Sequence, residues 1–154
     1  MTDKSMDKTD IINLLEDAGW YQGRSIDIEY IISELSMEGY VINNQKIKDL
    51  LKEYWNMNIE FKTPDGYLSN IRLNTEVAKD VDKISIDKIS QAIHDNLLPV
   101  GTIHEDSALL LLSDSGKFYM ITDNNVFKFR DNFFDTLKAI IYQDNITRFH
   151  FNKK

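Results

Sequence analysis

The chain has 154 residues, 42% of them hydrophobic and 28% charged, with no cysteine and a formal net charge of −7. That length and composition suit one ordinary globular domain. The lack of cysteine excludes a disulfide framework and a thiolate metal site, and the acidity argues against direct nucleic-acid binding, which needs a basic surface.

The acidity is concentrated at one end. Residues 1–45 hold nine carboxylates (Asp3, Asp7, Asp10, Glu16, Asp17, Asp27, Glu29, Glu34, Glu38) against Lys4, Lys8 and Arg24, so −6 of the −7 lies there. An acidic face of this kind speeds encounter with a basic partner; it also serves simply to keep a helical surface solvated.

Residues 1–9 read as a loose, polar start without the apolar core of a signal peptide, and no stretch reaches the 18 or so apolar residues of a membrane span. A cytoplasmic protein with no membrane contact is expected. Ile11, Leu14, Leu15 and Ala18 recur at helical spacing, with Thr9 or Asp10 as cap and Gly19 past the end. A compact turn, Gly19 to Arg24, follows. The second helix starts near Asp27 and carries Ile28, Ile31, Ile32 and Leu35 on its inner face, with Gly39 ending it. A third begins after Asn43 or Asn44, with Ile47, Leu50, Leu51 and Tyr54 inward.

The period then changes to two. Ile59 and Phe61 alternate with polar neighbours, Pro64-Asp65-Gly66 turns the chain, and Tyr67, Ile71 and Leu73 continue a second strand. After a polar stretch over 74–83 comes a helix marked by Ile86, Ile89, Ile93 and Leu97, with Ser85 as cap and Pro99 as terminator. The run Ala108–Leu112 suits a central strand covered on both faces. Asp114-Ser115-Gly116 and Asp123-Asn124-Asn125 turn the chain into Phe118–Ile121 and Val126–Phe129. A last helix buries Phe133, Phe134, Leu137, Ile140 and Ile141, capped by Asp131 or Asn132. The expected class is α+β: N-terminal helices, then a largely antiparallel sheet with packed helices, in one domain over 10–142. Residues 143–154 form a tail or a late edge strand.

Catalytic signatures are absent. There is no HExxH or HxH, no phosphate-cradling glycine motif and no GxSxG elbow. His104-Glu105-Asp106 is the densest ligand-capable trio, and in a polar loop it reads as a solvated turn. No catalytic, metal-binding or cofactor-binding residue is expected.

Several segments together carry a resemblance. Ala18-Gly19-Trp20-Tyr21-Gln22-Gly23-Arg24, then Ile26-Asp27-Ile28 and a helix closing on Glu38-Gly39-Tyr40, resembles the AGWxxGR opening of one group of the SUKH superfamily. Leu97-Leu98-Pro99-Val100-Gly101 is similar to its LxPIG segment, Leu110–Tyr119 to its LLxDxxGxVY hairpin, and Asp131–Leu137 to its closing GDSFEEAL helix start. Two departures stand out: Asn56-Met57 where the family often has Gly-Gly, and Arg130 where it usually has glycine. The resemblance implies a SUKH-like fold and a bacterial immunity protein of polymorphic-toxin systems. Such a protein binds a cognate toxin, frequently a nuclease, and needs neither catalysis nor cofactor. A basic toxin would suit the acidic 1–45 segment. A regulatory or scaffolding interaction domain is the alternative, and a small-molecule-binding or enzymatic domain the third reading.

Within that frame the second helix gives a candidate binding patch. With its apolar stripe inward, Tyr30 and Met37 face outward, rimmed by Glu29, Glu34 and Glu38; aromatic residues and methionine are enriched at interfaces. Gly19, Trp20, Gly23 and Arg24 carry the family motif and read as structural, with Trp20 between the first two helices and Arg24 on carbonyls at a helix end.

Overall fold

The computed structural model describes residues 8–74, 76–104, 107–122, 125–129, 132–142 and 147–149. Three helices come first: α1 (Lys8–Asp17), α2 (Glu29–Met37) and α3 (Gln45–Tyr54). Helix α1 starts ahead of the expected Thr9 or Asp10 cap. The Asp27 carboxylate accepts from the Glu29 amide at 3.0 Å, and the Asn44 side chain caps α3 by accepting from the Lys46 amide at 2.8 Å. Helix α2 closes in a Schellman arrangement: the Gly39 amide donates to the Ser36 carbonyl and the Tyr40 amide to the Leu35 carbonyl, both at 2.9 Å. Gly39 holds φ +94°, and the turn sends Tyr40 into the core.

The sheet has seven antiparallel strands in sequence order: β1 (Met57–Lys62), β2 (Leu68–Leu73), β3 (Leu97–Ile103), β4 (Ala108–Ser113), β5 (Phe118–Thr122), β6 (Asn125–Lys128) and β7 (Thr147–Phe149). Helices α4 (Glu76–Asp80) and α5 (Lys83–Ile93) link β2 to β3, and α6 (Phe133–Tyr142) precedes β7. The α+β architecture is the one the residue pattern implies, and the tail supplies an edge strand at 147–149.

Register explains the layers. Ile59, Ile71, Ile103 and Ala108 are cross-strand neighbours and all are buried. Leu73, Leu112 and Phe118 meet α3 and α6, where the Phe133 ring lies 4.3 Å from Tyr54 and 5.4 Å from Phe118 between centroids. Strands β3 and β4 are buried on both faces apart from Thr102 and Leu109, as expected for Ala108–Leu112, because α4 and α5 also pack on β3.

The segment 83–103 departs from expectation. Helix α5 ends at Ile93, with His94 in the left-handed conformation as its C-cap, and Asp82 rather than Ser85 is the N-cap. Leu97 does not extend the helix; it opens β3, so the Leu97–Gly101 motif is a strand. Pro99 is tolerated because β2 pairs with β3 only from Gly101 onward, and the β3–β4 register shifts between Pro99 and Gly101. At Gly101 a Cβ would collide with the Arg72 carbonyl oxygen, so any side chain there forces β3 away from β2. The expected caps Asp131 and, in the turn, Asp123 and Asn124 lie outside the described residues.

Candidate functional site

Helix α2 is built to show one face. Ile28, Ile31 and Leu35 are buried, which leaves Tyr30 51% and Met37 82% exposed. Helix α1 does not cover them. They stand seven residues apart, about 10 Å along the axis. Glu29 is exposed, Glu34 and Glu38 are half-buried, and Glu34 receives Lys79 of α4 at 3.4 Å. Neighbouring Glu34 raises the Lys79 pKa, followed by the weaker effect of Glu76.

The Tyr30 ring is not free to swing. Asn56 Nδ2 donates to Tyr30 Oη at 2.8 Å. Asn56 holds φ +60°, a left-handed position that asparagine is among the few residues to adopt readily. Asn56 therefore does two things at once: it makes the backbone turn and supplies a donor for the exposed tyrosine.

The motif turn docks on α3. Trp20 Nε1 donates to Glu53 Oε2 at 3.0 Å, and Arg24 donates to the carbonyls of Glu53 and, at 2.7 Å, Trp55. Gly19 and Gly23 take positive φ within it. Trp20 thus reaches α3 rather than lying only between α1 and α2. Tyr21, in the same turn, is 57% exposed. Of the seven large apolar side chains exposed among the described residues, Tyr21, Tyr30, Met37 and Val41 fall between positions 21 and 41. That stretch lies within the acidic 1–45 region and carries Asp27, Glu29, Glu34 and Glu38 against Arg24.

Sequence reasoning missed a cleft at the tip of the β1–β2 hairpin. Tyr67 and Leu68 are 73% and 78% exposed there, beside His104 and Pro64. His104 holds φ +57°, shares a 2.6 Å hydrogen bond between Nδ1 and Ser69 Oγ, and sets its ring edge-on to Phe61. Burial lowers its pKa from the usual histidine value. Ser69 is only 8% exposed, so its hydroxyl does not stand open to a substrate. The alternation of Phe61 and Ile71 pointed to the hairpin; nothing local in the sequence joined position 69 to 104. Glu105 and Asp106 of the ligand-capable trio, and His150, lie outside the described residues. Among the described residues no group of three or more His, Asp or Glu side chains is placed to hold a metal ion, and no helix is long and apolar enough to cross a membrane.

Comparison with known proteins gives one match. A family model described as SUKH-3 immunity protein matches residues 8–143. No curated protein and no solved structure matches the chain.

Proposed function

The chain belongs to the SUKH-3 immunity protein family, whose members bind cognate toxins, and we propose that it neutralises its toxin through the outer face of α2 and the turn before it. The supporting observation is the exposure of Tyr30 and Met37 beside Glu29, Glu34 and Glu38. Hot spots of protein interfaces favour such aromatic anchors, and acidic rims speed the approach of a basic partner. The toxin domain is basic, and a nuclease is the class that best fits, because its own nucleic-acid substrate requires a positive surface. Binding takes place in the cytoplasm and involves no cofactor.

Co-expression with the toxin domain encoded by a neighbouring gene tests the reading. Rescue of growth and co-purification are expected. Growth arrest despite abundant folded protein, with every neighbouring toxin, would contradict it.

A further inference from the structure

Next to α2 lies a cavity of about 220 Å³ between the α2–α3 connection, α5 and the start of β3. A water needs only about 10–15 Å³ of such volume, so the space takes a side chain. Its floor is apolar, with Ile42, Ile47 and Leu112 all buried, and its rim carries Tyr40, Lys83 and Asp87.

We propose that this cavity receives a cationic side chain, arginine or lysine, of the bound toxin. The inference rests on the toxin-binding reading and adds the chemistry of one contact. Three observations carry it.

First, the site already holds a cation. Lys83 Nζ lies 5.3 Å from the centroid of the Tyr40 ring and 2.9 and 3.0 Å from the two Asp87 oxygens. Gly39 makes room for that lysine, since a Cβ there would stand 2.8 Å from Lys83 Cδ. The pair is half-exposed and spans one helical turn, so it is weakly held and open to exchange.

Second, Tyr40 is 5% exposed and its hydroxyl is buried without a hydrogen-bond partner, alone in this among the described residues. A buried polar group left unpaired is unfavourable, and an incoming N–H donor would relieve it. Burial first, then the charges of Asp87, Glu38 and Asp82, push this phenol up to about 12, so it stays a neutral hydroxyl whose oxygen lone pairs can accept a hydrogen bond.

Third, the charge balance favours a cation. Two carboxylates, Asp87 and Asp114, line the cavity against one cation, Lys83, and the charges of Asp87, Glu38 and Asp82 all act on the Tyr40 phenol. An anionic side chain would be repelled, and a neutral apolar one would leave the carboxylates and the phenol unmatched. An arginine or lysine lays its methylene stem on the apolar floor and its head among the carboxylates. Val41, 71% exposed, also lines the cavity.

The test is a titration of isotope-labelled protein with Nα-acetyl-arginine amide, compared with the neutral isostere Nα-acetyl-citrulline amide. The arginine amide should shift the resonances of Tyr40, Val41, Asp87 and Leu112, and the citrulline amide should not. Lys83→Met, which removes the internal competitor, should bind the arginine amide about two- to fivefold more tightly, and Asp87→Asn about two- to fivefold more weakly. Both positions are half-exposed, and the opposite signs keep the test readable if one variant folds poorly. Equal shifts by both amides, or scattered shifts away from the cavity, would overturn the proposal. So would wild-type toxin binding that neither variant alters, although toxin neutralisation itself would then stand. Arginine amide bound in the cavity by a protein that binds no toxin would overturn the occupant together with the toxin-binding reading.

Discussion

Asn56 and Tyr30, 26 residues apart, meet through one 2.8 Å hydrogen bond that fixes the exposed phenol at the foot of α2. An interface side chain held in place before binding loses less conformational freedom on association. Asn56→Gly keeps the left-handed backbone and removes the donor. It should leave the melting temperature within a few degrees, since exposed hydrogen bonds contribute about 1 kcal/mol or less. Toxin affinity should drop about two- to fivefold, read by calorimetry. An unchanged affinity would mean that Tyr30 orients itself without Asn56 or lies outside the interface.

Arg24 acts elsewhere, by clamping the motif turn to the end of α3. Its two carbonyl partners, Glu53 and Trp55, match the spread of a guanidinium fork but not a single ammonium. Hydrogen bonds from a charged donor contribute about 1.5–3 kcal/mol. Arg24→Ala should lower unfolding free energy by that order in urea, and Arg24→Lys should recover less than half of it. Full recovery by lysine would show that charge alone suffices.

Gly101 marks the closest approach of two strands. Gly101→Ala places a methyl against the Arg72 carbonyl, and β3 must move away from β2 to admit it. Overpacking of this kind costs about 1–3 kcal/mol. Chemical denaturation should show a loss in that range or larger, and a stability equal to wild type would refute the close approach.

His104 gives the protein a pH response. Its folded pKa lies below the unfolded value of 6.5, so the unfolded chain binds the proton more readily. The stability that neutral His104 contributes is therefore complete above pH 6.5 and is lost as pH falls through the folded pKa. His104→Asn retains a residue suited to φ +57° and cannot titrate there. Denaturation between pH 7.5 and about 5 should show a decline in the wild type that is smaller in the variant. Parallel curves would place the acid response in other groups.

Much of the architecture is legible in the chain because period and punctuation agree. Ile28, Ile31 and Leu35 announce α2, and Gly39 stops it; the Ala108–Leu112 run announces a strand covered on both faces. β3 was hidden for a physical reason. Pro99 reads locally as a helix terminator, and only the short pairing with β2 explains how a proline enters the sheet. The exposed α2 face is legible from spacing once the inner stripe is placed. Its supporting contacts are not: Asn56 to Tyr30, Arg24 to the end of α3 and Lys83 over Tyr40 join residues 26 to 43 positions apart. No local pattern encodes such pairs.

Binding of the toxin domain by wild type and by Tyr30→Ala/Met37→Ala, measured side by side, is the most direct test. Both residues are exposed, so the double variant should melt with the wild type. Its affinity should fall at least about tenfold, with growth protection reduced in step, since hot-spot truncations cost about 2 kcal/mol or more. A folded double variant that binds and protects as well as wild type would contradict the assignment of toxin binding to the outer face of α2.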